Sequence, residues 1–407
     1  MISKERFNHF VIPFHLHLEW QPTFHFLSSQ PCIAQRMKKI LILGGAGFVG
    51  SHTADALLQQ GHSVVVFDNL SKQVHSAGFP PYLSSEVEFI EGDVRDLNAL
   101  KKVVPKADTI FHLAAAVGVG QSMYEISDYT ATNIQGTANL LQAILDTRST
   151  PEKLVVASSM SIYGEGRYSC PNCGPVAPAA RSLAQLREKG WEVRCPTCHE
   201  VLTAAPTDEG KPLQCTSIYA QNKKAQEELV LIFGQTYGIP SVAFRYFNIY
   251  GPRQALSNPY TGVAAIFASR LMNRKAPVIF EDGLQMRDFV NIRDIVQANL
   301  LALTSSGADG MALNVGSGQP VNIAEVAHEI ARMLGADIQP KIAGTYRAGD
   351  IRHCYADISR VCRALGYRPQ VSFREGVAEL VSWLESQEAD DHTQDALDQL
   401  TARGLVA

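Results

Sequence analysis

Three glycines at three-residue steps, Gly44, Gly47 and Gly50, stand between an apolar run at 40–43 and a helical stretch at 51–60. No other segment constrains the fold as strongly. A glycine triplet alone is weak evidence, but a strand before it and a helix behind it make the spacing specific. Without Cβ atoms the backbone turns sharply and approaches a pyrophosphate. The amides opening the helix then face that anion with the positive end of the helix dipole. Phe48 and Val49 complete the loop. Asp68 closes the next apolar run, 63–67. A carboxylate there accepts hydrogen bonds from a ribose diol and repels a 2′-phosphate. No arginine stands in Asn69-Leu70-Ser71, so NAD is favoured over NADP. After a third run at 87–90, Asp93 either caps a helix or bonds an adenine amino group.

The same rhythm continues. Apolar runs at 109–112, 154–157 and 242–247 alternate with helical segments such as 133–145. Short apolar strands alternating with helices imply βαβ units and an α/β fold with a doubly wound parallel sheet. After about Pro252, shorter helices and turns indicate a smaller second region. The expected boundaries are 37–250, carrying an insert at 165–212, then 251–386, then an acidic tail at 387–407 that is a surface helix or a frayed end. With 46% hydrophobic and 19% charged residues in 407, a large core can be buried, and a net charge of -4 gives no global field for nucleic acid. No apolar run of about 18 residues occurs, so no membrane-spanning helix is expected.

The chemistry-bearing residues come next. Ser159 follows the run at 154–157, and Tyr219 and Lys223 are four residues apart, which on a helix places them on one face. A tyrosine with a pKa near about 10 is a poor base at neutral pH. A neighbouring ammonium and the positive nicotinamide of NAD would stabilise its phenolate, and a serine hydroxyl can bridge it to substrate.

Together with Gly92-Asp93-Val94-Arg95-Asp96, His112-Leu113-Ala114-Ala115, Asn133-x2-Gly136-Thr137, Arg245-Tyr246-Phe247-Asn248-x2-Gly251-Pro252, Arg287-Asp288-Phe289 and Arg347-Ala348-Gly349-Asp350, these motifs run from Met37 to about Leu384. Over that span the chain resembles the extended short-chain dehydrogenase/reductases, and within them the NAD-dependent nucleotide-sugar epimerases and dehydratases. The resemblance implies a Rossmann-type sheet with a smaller C-terminal substrate-binding region. It implies a catalytic set of Ser159, Tyr219 and Lys223. It places NAD against Gly44, Gly47, Phe48, Val49, Gly50, Asp68, Asn69, Asp93, Val94, Leu113, Ala114, Ala115, Asn133, Tyr219, Lys223 and Tyr246. The nucleotide-sugar substrate falls against Ser159, Asn248, Val278, Phe280, Arg287, Arg347 and Asp350. Arginines suit a pyrophosphate because each guanidinium donates parallel hydrogen bonds; the alternative for Arg287 and Arg347 is surface salt bridging.

Within the family, 4,6-dehydratases add an Asp-Glu pair after the catalytic Ser or Thr. Here Met160 and Ser161 stand there, and neither titrates usefully. Oxidation at C4 and hydride return to the other face remain, which is C4 epimerisation. The loops at 69–75 and 115–125 look most like members acting on dTDP-L-rhamnose to give dTDP-6-deoxy-L-talose, and apolar Val117 and Val119 would tolerate a 6-deoxy methyl. UDP-glucose, UDP-glucuronate and other nucleotide sugars stay open, as do a reductase or dehydrogenase that releases NADH and an NAD-binding module without activity. Family members commonly dimerise through the helix carrying the catalytic tyrosine. The apolar residues Leu229, Val230, Leu231, Ile232 and Phe233 are compatible with a homodimer, or equally with a core.

Four of the eight cysteines form two C-x2-C pairs, Cys170/Cys173 and Cys195/Cys198, inside a zinc-ribbon-like stretch at 170–202. Four thiolates suit one tetrahedral, closed and therefore structural Zn2+; free thiols or a redox pair are the alternatives. His199 is expected to be a bystander. This clustering fits a reduced, cytoplasmic setting better than a disulfide framework. Residues 1–36 mix phenylalanines with His9, His15, His17 and His25 without helical period, and read as a dispensable extension or, more sharply, a metal-binding tail. A chain starting at Met37 is expected to fold and act normally, measured by melting and turnover. Loss of either would make 1–36 part of the working body.

Overall fold

Burial alternates along β1 (Lys39–Leu43): Ile40 and Ile42 belong to one core, Leu41 and Leu43 to the other. A strand covered on both faces has no polar side, which is why the run is continuously apolar. The computed structural model describes residues 36–407, and the expected extension at 1–36 otherwise lies outside the described residues. Seven strands form one sheet, in the order β7-β6-β5-β4-β1-β2-β3, where β2 is Ser63–Asp68, β3 Glu88–Glu91, β4 Thr109–His112, β5 Lys153–Ser159, β6 Ser241–Tyr246 and β7 Met311–Val315. Every pairing is parallel. The order reverses between β1 and β4, and ligands of such sheets bind outside the carboxyl ends at that point.

Helices α1 (Phe48–Gln59) and α6 (Ile292–Thr304) cover one face with Ala54, Leu57, Ile295 and Ala298. Helices α2 (Leu97–Val103), α3 (Gly136–Asp146) and α4 (Ile218–Tyr237) cover the other with Leu100, Leu140, Ile144, Val230 and Phe233. A further core forms where α5 (Val263–Met272), α7 (Ile323–Met333) and α8 (Phe373–Leu384) pack on the strand Met286–Asn291 through Phe267, Phe289, Ile330 and Leu380. Capping boxes, Asn322/Glu325 and Ser372/Glu375, start α7 and α8.

Several local expectations change. The first helix begins at Phe48, inside the glycine loop, because Gly47 already serves as its N-cap. The helix expected at 133–145 starts earlier, as α-helix at Ile126–Thr130, passes through a π-type turn at Ala131–Gln135 and resumes regular form at Gly136. The cap of α2 is Asp96, which accepts from Asn98 N and Ala99 N, so the capping alternative for Asp93 fails. The tail is not frayed: α9 (Thr393–Ala402) buries Ala396 and Leu400, and residues 405–407 return to form an isolated antiparallel bridge, Val406 against Arg347, in which Tyr346 N–H donates to Ala407 O and Ala348 N–H to Leu405 O, both at 2.8 Å. The insert is a small antiparallel sheet of Arg167–Cys170, Gly174–Val176 and Thr203–Ala205 with a short helix, Leu183–Arg187. Among the described residues, no helix is long and apolar enough to cross a membrane.

The carboxyl ends of β5 and β6 are tied to α4 by a buried ion pair. Arg245 on β6 reaches Glu227 on α4 at 2.5 Å, Ser158 at the end of β5 donates to Glu227 at 2.6 Å, and Arg245 also donates to the Tyr163 hydroxyl at 2.8 Å. Tyr163 passes the bond on to Asn314 of β7 at 2.7 Å. Removing one partner of a buried pair strands the other charge. Glu227→Ala is therefore expected to lower unfolding free energy by about 3–5 kcal/mol, measured by denaturant titration, with Glu227→Gln costing less.

Candidate active site

Helix α4 opens at Ser217, an extended residue whose hydroxyl accepts from Ala220 N at 3.1 Å. Tyr219 and Lys223 lie in its first two turns, both buried, and Tyr219 N–H donates to Ser122 Oγ at 3.0 Å. Ser159 ends β5 and lies beside the Tyr219 side chain, close enough to pull the phenol's pKa downward. Its Oγ also accepts from Ser161 N at 3.2 Å and Ser161 Oγ at 3.0 Å. The three residues predicted as a catalytic set thus meet where α4 crosses the end of β5. Met160 is buried, and neither it nor Ser161 brings a titrating group beside Ser159.

Electrostatics at this point are set by burial. It pushes the Tyr219 phenol upward, with the Ser159 hydroxyl pulling the other way. It lowers the Lys223 ammonium to about 7. Lys223 leans away from the phenol, donating to Gln226 Oε1 at 2.9 Å. Gln226 donates to Thr137 Oγ1 at 2.9 Å, and Thr137 to Asn133 O at 2.6 Å. His112 contacts Thr137 Oγ1 at 2.9 Å and is held neutral, at about 3, by burial and by the Lys223 charge. The stabilisation of Tyr219 by the Lys223 charge that the spacing suggested is therefore not the contact found; Ser159 is the phenol's neighbour.

The predicted cofactor residues line the carboxyl edge of the sheet. Gly44 has φ +78, and a Cβ there would lie 2.7 Å from Ala114 Cα. At Gly50 a Cβ would lie 2.3 Å from Gly44 O, so the loop and helix close up only without side chains. Helix α1 has no side-chain cap and no acid in its first turn, which leaves its leading amides to an anion. Phe48 and Val49 are half-buried beside them. Asp68 accepts from Ala46 N and Leu70 N, both at 3.0 Å, and retains lone pairs for a diol. These features fit NAD.

Some predicted contact residues also carry structural work. Asp93 is bonded to Asn69 at 3.0 Å and to Arg95 at 2.7 Å; burial raises its carboxyl, but Arg95 and Asn69 prevail and hold it at about 2. Asn133 clamps Ala116 with reciprocal bonds of 2.8 and 3.0 Å, fixing the loop that carries Leu113, Ala114 and Ala115. Val94 is buried against Gly136. The Tyr246 hydroxyl donates to Asn299 at 2.7 Å, and Asn299 donates to Thr53 at 3.0 Å, so this phenol ties β6 to α6 and α1.

On the substrate side, Arg347 lies 4.8 Å over the Phe280 ring and pairs with Asp350 at 2.9 Å, while Val278 pairs with Lys341 in a two-residue strand. Arg287 donates to the carbonyls of Ile351 at 2.7 Å and Arg352 at 2.9 Å, so it is not a surface salt bridge, whereas the Arg347–Asp350 pair is partly exposed. Asn248 Oδ1 is buried with no hydrogen-bond partner among the described residues, an acceptor left for a ligand. Sequence reasoning missed the C-terminal wall of this region. Leu400 and Leu405 close a cavity with Val119, Gly120, Met123, Arg347 and Asp350. Arg403 sits 4.2 Å over the Tyr124 ring, whose hydroxyl meets that of Tyr260 at 2.5 Å. No motif announces such a long-range return; only the spacing of Ala396 and Leu400 hints at a buried face. In the insert, the ligand atoms of Cys170, Cys173, Cys195 and Cys198 lie within 4.8 Å of one another, and His199 is outside this group.

Because Lys223 is lowered from 10.5 to about 7, the unfolded chain holds its proton more tightly. Stability from this group rises with pH between those values, and the penalty is nearly full below about 7. Lys223→Met is expected to raise the melting temperature of nucleotide-stripped protein at neutral pH, by an amount that shrinks toward pH 10, while turnover falls roughly a hundredfold or more.

Comparison with known proteins agrees with this geometry. The NAD dependent epimerase/dehydratase family matches residues 40–181 and 196–316. A dTDP-L-rhamnose 4-epimerase of Burkholderia thailandensis is 35% identical over 87% of this chain and 96% of its own. The structure of a UDP-N-acetylglucosamine 4-epimerase from Methanobrevibacter ruminantium in complex with UDP-N-acetylmuramic acid superposes with a TM-score of 0.70 at 31% identity, covering 86% of this chain and 99% of that one. The structure of Thermus thermophilus UDP-glucose 4-epimerase complexed with NAD does so with a TM-score of 0.67 at 29% identity, covering 86% and 99%. With its glycine loop, sheet order and Ser–Tyr–Lys arrangement, the chain belongs to the NAD-dependent epimerase/dehydratase family.

Proposed function

We propose that the protein is an NAD-dependent nucleotide-sugar 4-epimerase, with dTDP-L-rhamnose and dTDP-6-deoxy-L-talose as its pair of substrates. The observation that carries this is the buried Tyr219 beside half-buried Ser159 at the end of β5, with Met160 and Ser161 in place of a titrating couple. NAD supplies the hydride acceptor and donor, and the uncapped start of α1 together with Asp68 would hold it. Tyr219 takes the proton of the C4 hydroxyl as that carbon is oxidised, and Ser159 donates a hydrogen bond to the same oxygen. Lys223, once turned from Gln226, holds the nicotinamide ribose and offsets the phenolate charge. The 4-keto sugar then turns, and Tyr219 returns its proton as hydride reaches the other face. Asn248, Arg287 and Arg347, with Phe280, Val278 and Asp350, bind the nucleotide diphosphate. Apolar Val117 and Val119, the latter lining the cavity, would tolerate a methyl at C6 better than a carboxylate.

The remaining parts of the proposal are structural. A tetrahedral site with Zn–S bonds of about 2.3 Å sets its sulfurs about 3.8 Å apart, compatible with the 4.8 Å bound on the cysteine cluster and the 3.4 Å between Cys170 and Cys198. A homodimer is supported by Ile232 of α4, 62% exposed, whereas Val230 and Phe233 of the same run belong to the core. The clustered cysteine pairs fit a cytoplasmic protein, and 37–250, 251–386 and the insert fall within one compact unit, 37–407.

Incubation with dTDP-L-rhamnose, followed by NMR, is expected to give the talose epimer with no net NADH, and Tyr219→Phe to lose roughly a hundredfold or more in kcat. Turnover of UDP-glucose or UDP-glucuronate instead would move the substrate assignment. Stoichiometric NADH release would favour a dehydrogenase.

A further inference from the structure

The insert is joined to the body by buried charge. Arg181, from the insert, bonds both oxygens of Glu281 at 2.9 Å and also reaches the carbonyl of Asp350 at 3.3 Å. Glu192, three residues before Cys195, bonds Arg352 at 2.6 Å and lies 3.7 Å from His353. Glu165 accepts from Arg352 N at 2.8 Å and from His353 N at 3.3 Å. Arg352 completes the set with Asp282 at 2.6 Å and Glu281 at 3.1 Å. The side chains of Arg181, Glu165, Glu281 and Arg352 are at most 2% exposed. Ions this deep cannot slide past one another without stranding a charge, so insert and body share one register here.

That register reaches the expected diphosphate arginines. The segment 350–352 is gripped from the insert by Arg181 and Glu192 and from the body by Arg287, whose guanidinium aims at the Ile351 and Arg352 carbonyls. Asp350 of the same segment holds Arg347, and Glu281 follows Phe280, the ring beneath Arg347. Moving Glu192 or Arg181 therefore moves the surfaces against which both arginines are set.

The insert cannot hold that position by packing alone. Its buried apolar core is Tyr168, Cys170, Val193, Cys195 and Leu202, and two of these five are cysteines of the cluster. Cores that small need a staple. A metal at the four sulfurs would fasten the 170–173 turn to the 195–198 turn. The second turn is continuous with Glu192 through the pairing of Leu202 N with Val193 O at 2.9 Å.

We infer that the cysteine cluster binds a zinc ion whose occupancy positions Arg287 and Arg347 for a nucleoside diphosphate, with Arg181 and Glu192 as the positioning residues. The inference rests on the nucleotide-sugar reading of this site, and it makes the insert part of substrate binding rather than an appendage.

The test uses the full-length holoprotein, with zinc per chain, retained NAD and calorimetric affinity for dTDP and UDP measured together. One zinc per chain is expected. Chelation should weaken dTDP or UDP binding, and raise substrate KM, roughly tenfold or more, with kcat at saturation and bound NAD nearly unchanged and zinc restoring affinity. Glu192→Gln, with zinc retained and melting unchanged, should weaken the same binding. Well under one zinc per chain, or affinity indifferent to metal, overturns the inference. If chelation unfolds the whole chain, Glu192→Gln decides, and unchanged affinity in that variant overturns it. Zinc-loaded protein that binds neither dTDP nor UDP refutes the nucleotide-sugar reading as well, and zinc-independent binding refutes the positioning role alone.

Discussion

The ion pair of Glu227 and Arg245 is the interaction on which the site's geometry depends. It joins α4, which carries Tyr219 and Lys223, to β6, and through Ser158 it reaches the end of β5, where Ser159 sits. The next members, Tyr163 and Asn314, extend the tie to β7. Parallel strands buried on both faces offer many apolar contacts but little angular definition at their ends. Directional, desolvated bonds supply that definition, and they confine the phenol, the hydroxyl beside it and the lysine to one crossing point.

The same trade between burial and charge explains why the site is poised rather than relaxed. Burial raises the phenol of Tyr219 and lowers the ammonium of Lys223. Both groups thus favour their neutral forms, and a cationic ring placed beside them would draw the Tyr219 phenol toward its phenolate. Around them His112, kept neutral, and the Gln226–Thr137–Asn133 chain satisfy polar atoms that would otherwise be orphaned.

Much of this was legible in the sequence, for identifiable reasons. The strands showed because a two-sided burial demands uninterrupted apolar runs, and the loop showed because close backbone approach at Gly44 and Gly50 admits no side chain. Boundaries drifted where a glycine served as a cap, as at Gly47, or where a π-type turn broke the helical period before Gly136. The hydroxyl partner of Tyr246 was not legible because Asn299 is distant in sequence and marked by no motif. The tail misled through composition: acidic surface residues hid the contacts of Leu400, and the backbone pairing of 405–407 leaves no pattern at all. The cysteine spacing was visible, whereas the Arg181, Glu192 and Arg352 network behind it was not, since isolated charges carry no signal of burial until the fold assembles them.

The central claim is that one hydride leaves C4 and returns to the same carbon within a single binding event. Deuterium placed at C4 of dTDP-L-rhamnose tests it most directly, read by mass spectrometry and NMR of the product. The account predicts that the talose epimer keeps the deuterium at C4, with none released to water and no reduced cofactor accumulating in solution. Washout of the label into solvent, or its escape on free reduced cofactor, would contradict it.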